Sequence, residues 1–334
     1  MAFKSVFASL MLEFNCFPYL SASSLLEKES SMKTVIIGAG AMGSLYGGLL
    51  AFSGEEVWLV DIWKEHIEAI RSKGLTIEEK GQEKNSRVHV TTDVSSIGKA
   101  DLVIFFVKTY HMEKAVRDAL ILEKEPTAFL TLQNGLGNEE VLFRQVNPKK
   151  VLLGVTNHGA TLLGPGKIRH AGWGKTFIGE LDHQMTDRVT EIARMFQKAG
   201  LETEISSNIQ RLVWEKLLIN IGINALAAVT RLKNGELLDH PETLSLMDLM
   251  VSEAVEVARR KGIPIEGNTL EKVKAVAKAT RDNRCSMGQD LDNKRRTEID
   301  AINGAVVREA ERMKISVPYN LMISNLIRVI ERTY

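Results

Sequence analysis

Lys216, Asn220 and Asn224 are the residues of this chain whose types and spacing most readily support chemistry. They stand at i, i+4 and i+8 in WEKLLINIGINALAAV, the stretch from Trp214 to Val229. On a helix they form one stripe roughly 12 Å long. Between Leu217 and Val229 the two asparagines are the only polar side chains, and a helix that is apolar almost all round is normally buried. An ammonium and two amides are costly to bury unless each finds a partner. In one reading the lysine snorkels and the amides bond nearby backbone. In the other, the stripe faces an enclosed polar cavity, where an ammonium can donate a proton and stabilise charge growing on an oxygen. The choice depends on what the remaining elements supply.

The second such stretch is KTVIIGAGAMGSLYGGLLAFSG, which reads as strand, tight turn and helix. Gly38, Gly40 and Gly43 fit GxGxxG: the first two permit the turn and close approach to a pyrophosphate, and the third lets helix and strand pack. The segment Gly38, Ala39, Gly40, Ala41, Met42, Gly43 is therefore the expected phosphate-binding turn, with N–H groups at the helix start holding the anion. A second strand, EEVWLVD, ends in Asp61 about 20 residues further on, where a ribose-binding acid is required.

The elements around these stretches fall into two halves. IWKEHIEAIRSKG predicts a helix ending at Gly74, and LTIEEKGQEKNSRVHVTTD an antiparallel hairpin. ADLVIFFVK is an apolar run of the kind found in buried parallel strands; it sets Lys108 at a strand's carboxyl end, the ligand-binding edge of such sheets. TAFLTLQNG places Asn134 at the same edge. Residues 151–180 read as three strands joined by Gly-rich turns, followed by a helix, DRVTEIARMFQKAG, and a short strand, LETEI. After Ser206 strand signals stop, and helical periodicity runs over 208–230, 242–262, 268–280, 286–313 and 318–333. The predicted fold class is α/β: a Rossmann-like nucleotide-binding domain over residues 32–205, then an all-helical domain over 206–334 carrying the stripe. Ser206, Ser207 and Asn208 form the expected hinge. Residues 1–31 read as a disordered extension, or as the product of a start codon chosen ahead of Met32, because Glu13 interrupts the apolar run that a signal peptide would need.

Composition narrows the function classes. The 334 residues are 44% hydrophobic and 25% charged with a net charge of +1, which provides no basic surface for nucleic acid. Cys16 and Cys285 cannot make a disulfide framework, which fits a reducing cytoplasmic setting. The seven histidines have no metal-ligand spacing, so no metal is expected.

The pieces GAGAMGS, FVKTY, LQNGLGN, WEKLLINIGINALAA, SMGQD and RRTEIDAINGAV, taken together and in order, resemble the ketopantoate reductase family from Met32 onward. The resemblance implies an NADPH-binding Rossmann domain and a helical domain enclosing a cleft in which a keto acid is reduced. It places the family's catalytic lysine on Lys216. The substrate-contacting residues fall on Asn220, Asn224, Ser286 and Glu298, and the cleft-edge lysine and asparagine on Lys108 and Asn134. Glu298 would accept a hydrogen bond from the substrate's terminal hydroxyl, or else pair with the neighbouring Arg295 or Arg296. One departure concerns the cofactor: where users of NADPH commonly carry an arginine, this chain has Ile62 after Asp61, which favours NADH, although Lys64 could compensate. The competing readings are a relative acting on another 2-keto or 2-hydroxy acid and a non-catalytic redox sensor. A small keto acid is the expected partner and a homodimer stays open; neither nucleic acid nor membrane is expected.

Overall fold

Short apolar runs bounded by polar turns build the sheet that carries the site. The structure, a computed structural model, describes residues 31–334; apart from Ser31, the expected leader lies outside the described residues. β1 (Thr34–Ile37) passes through the glycine turn into α1 (Ala41–Phe52), and β2 (Val57–Val60) leads to α2 (Lys64–Lys73). β3 (Leu75–Glu79) and β4 (Gln82–Ser86) form the expected hairpin. Lys80 and Gly81 both take positive φ there, 50° and 78°, as a two-residue turn matched to strand twist requires. β5 (His89–Thr91), β6 (Leu102–Phe105), α3 (Met112–Ala119), β7 (Ala128–Thr131) and α4 (Asn138–Phe143) follow. The half closes with β8 (Val151–Thr156), β9 (Gly159–Gly164), β10 (Lys167–Gly172), β11 (Thr176–Glu180), α5 (Asp187–Lys198) and β12 (Thr203–Ile205).

Among the described residues the main sheet has eight strands in the order β12-β11-β8-β7-β6-β1-β2-β5, and only β8 and β11 pair antiparallel. From β1 the chain moves outward to β2 and β5, then returns to β6 on the other side. Strand order thus reverses between β1 and β6, the position at which open α/β sheets bind ligands beyond their carboxyl ends. β1, β6 and β7 are buried along their whole length, which explains their continuous apolar runs.

Two expectations need correction here. Residues 151–180 form four strands rather than three: β8 and β11 stay in the main sheet, whereas β9 and β10 leave it and join the hairpin in a second sheet of order β4-β3-β10-β9. Gly159 and Gly172 pair at the root of this excursion, and Gly166, at φ 73°, turns it back. Likewise the hairpin region yields a third strand, β5, which pairs with β2 in the main sheet.

The second half is helical: α6 (Ile209–Thr230), α7 (Pro241–Arg260), α8 (Thr269–Ala279), α9 (Ser286–Asp292), α10 (Asn303–Met313) and α11 (Pro318–Glu331). Asn208 starts α6 by accepting a hydrogen bond from the Arg211 amide at 3.1 Å, a side-chain cap on otherwise orphaned donors. The apolar surface of α6 packs against α7, α8, α9 and α11 and against the end of β8. Its length and apolar composition would suit a membrane span, but here they serve a core helix surrounded by protein. The single helix expected over 286–313 is in fact α9, an irregular crossing and α10. Lys294 adopts a left-handed φ of 53°, and the Arg295 amide turns back to the Asp290 carbonyl at 2.8 Å, so the helix cannot continue. That interruption exposes the segment carrying Glu298 to the sheet edge.

Candidate active site

The glycine turn is shaped by what a side chain would strike. A Cβ on Gly38, which has φ 99°, would lie 2.7 Å from the Val107 nitrogen, and one on Gly43 would lie 1.9 Å from the Gly38 carbonyl oxygen. Helix, strand and neighbouring turn therefore meet only because these positions are bare. Gly40 differs: a Cβ there would meet nothing within 4 Å, so its side of the turn is open. Gly40 caps α1, whose first turn holds no acidic residue and no side-chain cap. The Gly38 amide donates to the Val60 carbonyl at 2.8 Å and the Ala39 amide to Asp61 Oδ2 at 2.8 Å. The amides from Gly40 through Ala41 and Met42 to Gly43 stand at the head of the helix, where N–H groups lack intrahelical acceptors. This donor set fits a pyrophosphate.

Asp61 follows β2, and its second oxygen accepts from the Trp63 amide at 3.0 Å. Two backbone donors thus fix the carboxylate and leave each oxygen a further lone pair for a ribose hydroxyl. The Ile62 side chain is 79% exposed and contributes no charge beside it.

At the same carboxyl edge the helical half reaches over the sheet. Lys216, half-buried on α6, donates from Nζ to the carbonyl of Thr156, the last residue of β8, at 2.6 Å. Lys108 lies just beyond β6, with its Nζ 2.6 Å from Asp290 Oδ2 and 3.6 Å from Glu298 Oε2. Glu298 also accepts from the Thr109 amide at 3.4 Å. Both carboxylates are buried. Burial pushes the Lys216 ammonium down to a pKa of about 8, against an opposing pull from the nearby Glu298 charge. Burial works against the Lys108 charge as well, but Glu298 and Asp290 outweigh it and raise its pKa above the ordinary lysine value. Two cations and two anions thus converge from α6, α9, the strand end after β6 and the crossing before α10.

Most of the expected residues flank this cluster. Asn220 is half-buried and Asn224 buried on α6, while Ser286 is exposed as the first residue of α9, one turn before Asp290. Among the described residues, no hydrogen bond joins the Asn220, Asn224 or Ser286 side chain to the charged cluster. Asn134 sits in the turn after β7, where its carbonyl accepts from Asn138 Nδ2 at 3.2 Å. That turn is tied to the Glu298 segment, because the Leu136 amide donates to the Ala301 carbonyl at 2.9 Å. Glu298 pairs with Lys108, not with an adjacent arginine; Arg296 instead bonds Asp300 at 3.3 Å and lies 4.6 Å over the Tyr110 ring. Two features escaped sequence reasoning. Asp290 lies in the quoted SMGQD motif, but nothing in the spacing tied it to Lys108. The Thr156 carbonyl is a backbone atom and leaves no mark in side-chain pattern.

A glycine turn at the switch point of a doubly wound sheet, with a half-buried ammonium brought to the same sheet edge by the helical half, defines a two-domain NAD(P)-dependent oxidoreductase. Residues 34–183 match the family described as ketopantoate reductase PanE/ApbA, and residues 208–331 match its C-terminal family. The chain belongs to the ketopantoate reductase family. It is 39% identical to the 2-dehydropantoate 2-reductase of Halobacterium salinarum over 302 residues, covering 90% of this chain and 99% of that one. Among solved structures, D-mandelate dehydrogenase with NADH and anilino(oxo)acetate is similar at a TM-score of 0.84 and 30% identity. A PanE/ApbA family ketopantoate reductase from Ralstonia eutropha is similar at 0.83 and 32%. In both cases 90% of this chain and 99% of the other are covered.

The Lys216 pKa makes a signed prediction. If the ammonium supplies the proton in the reductive direction, kcat/KM holds steady below about pH 8 and then falls about tenfold per pH unit. Because this pKa lies below the ordinary lysine value, the same deprotonation makes the folded state relatively more stable as pH rises from 8 towards that value. Loss of rate is therefore separable from unfolding. A rate profile flat to pH 10, measured with unfolding monitored alongside, would remove Lys216 from the proton-donating role.

Proposed function

We propose that this chain is a 2-dehydropantoate 2-reductase, reducing ketopantoate to pantoate with a reduced nicotinamide dinucleotide. The observation that carries this reading is the Lys216 ammonium at the carboxyl edge of the sheet with the Glu298 carboxylate nearby. When bound, the dinucleotide supplies a hydride to the ketone carbon. Negative charge then grows on the ketone oxygen, where Lys216 stabilises it and delivers a proton. Asn220, Asn224 and Ser286 are neutral donors that can orient the substrate carboxylate and carbonyl without cancelling the lysine charge. Glu298, set between Lys108 and the Thr109 amide, accepts a hydrogen bond from the substrate's terminal hydroxyl. Lys108 and Asn134 border the cleft between the substrate and the dinucleotide.

The hydroxyl contact distinguishes ketopantoate from simpler keto acids. Glu298→Ala lowers kcat/KM for ketopantoate while sparing a keto acid that lacks the terminal hydroxyl. One hydrogen bond to a charged acceptor is worth about 1.5–3 kcal/mol, or roughly one to two decades. Equal losses on the two substrates would assign Glu298 to holding Lys108 and would leave the substrate to be sought among other 2-keto acids.

Asp61 and Ile62 favour NADH. The Asp61 carboxylate can accept from ribose hydroxyls but would stand against the 2′-phosphate of NADPH, and two like charges ~4 Å apart repel by about 1–4 kcal/mol. The amides of Ala39 and Trp63 soften that repulsion, and an exposed Lys64 can reduce it further. The expected result is a kcat/KM for NADH at least equal to that for NADPH at saturating ketopantoate, with Asp61→Ala combined with Ile62→Arg turning the enzyme towards NADPH. A wild type preferring NADPH by about tenfold or more, some 1.4 kcal/mol, would transfer control of the phosphate to Lys64.

A further inference from the structure

His66, in the first turn of α2, is fully buried and belongs to neither the charged cluster nor the glycine turn. Its hydrogen bonds fix its tautomer. The Gly166 amide lies 3.0 Å from Nδ1 and can only donate, so Nδ1 is the bare nitrogen and Nε2 carries the hydrogen. Burial holds the ring below the ordinary histidine pKa, which keeps it neutral. Nε2–H faces Ser44 Oγ at 3.2 Å, with the Ala39 carbonyl beside it. Ser44 in turn donates from Oγ to that carbonyl at 2.8 Å. A continuous relay therefore runs from the Gly166 amide, in the second sheet, through His66 and Ser44 to the Ala39 carbonyl. Trp63 covers the ring, stacked with centroids 5.0 Å apart and planes 9° from parallel, and its own amide holds Asp61.

The relay ends on the peptide that matters for an anion. Ala39 is fixed at both ends, its N–H by Asp61 and its carbonyl by Ser44. In a trans peptide plane the next N–H points opposite to the carbonyl. Holding the Ala39 carbonyl inward therefore turns the Gly40 N–H outward, at the open side of the turn. We propose that His66 is a positioning residue for the dinucleotide pyrophosphate, acting through Ser44 on the Ala39–Gly40 peptide. This rests on the reading that the chain binds a reduced nicotinamide dinucleotide.

Three variants separate orientation from simple packing. His66→Gln keeps an N–H donor near the Nε2 position, His66→Asn keeps only an acceptor near Nδ1, and Ser44→Ala removes the middle of the relay. Dissociation constants for NADH and NADPH are read from cofactor fluorescence, with Tm recorded for each protein. His66→Asn and Ser44→Ala are expected to weaken binding about tenfold, the scale of one charge-assisted hydrogen bond, while His66→Gln stays within about threefold of wild type. Should His66→Asn fail to fold, Ser44→Ala decides. Wild-type affinity in Ser44→Ala, or equal losses in His66→Gln and His66→Asn, overturns the positioning role. A wild type that binds neither dinucleotide overturns the underlying reading together with it.

Discussion

A lysine ammonium drawn partly out of water is the constraint on which the rest of the site depends. Lys216 sits on a helix that is apolar from Leu217 to Val229 but for Asn220 and Asn224, and its charge is disfavoured there. Such a charge persists only if dipoles and counter-charges are brought to it. The Thr156 carbonyl and the nearby Glu298 carboxylate meet that need, and each comes from a different part of the chain. The main sheet must therefore end β8 under α6, and the helical half must break its helix to lower Glu298 to the sheet edge.

The break between α9 and α10 follows from this requirement. A continuous helix over residues 286–313 would be locally favourable, yet it would carry Asp290 and Glu298 on a rigid rod. The left-handed Lys294 and the irregular crossing allow both acids to reach Lys108, and the Ala301 carbonyl then anchors the turn carrying Asn134. Local helix propensity yields to electrostatics, as is common where a site is assembled. The two cations and two anions roughly cancel, which leaves this sheet edge polar but nearly neutral. In the proposed reaction Lys216 is the cation assigned to the oxygen that becomes negative.

Much of this was legible in the sequence because its causes are local. The glycine turn, Asp61 after β2 and the apolar strands leading towards Lys108 and Asn134 follow from sterics and from burial on both sheet faces. The stripe on α6 was legible for the same reason, since polar residues on an apolar helix stand out. The two-strand excursion through β9 and β10 was not, because it depends on pairing with β3, far away in the chain. Nor was the Lys108–Asp290 pair, which joins residues separated by 182 positions, nor the Thr156 carbonyl. The relay through His66 was hidden too: an amphipathic helix with one histidine in it gives no sign of what that ring touches.

If Lys216 supplies the proton and the charge stabilisation at the reacting oxygen, its removal must slow hydride transfer itself. Single-turnover reduction of ketopantoate is followed by loss of dinucleotide absorbance in wild type and in Lys216→Ala, with dinucleotide affinity measured separately on each. The hydride-transfer rate is expected to fall at least about 100-fold, the scale of losing a general acid or oxyanion donor, while dinucleotide affinity changes little. A variant that reduces ketopantoate at close to the wild-type rate would contradict this role of Lys216.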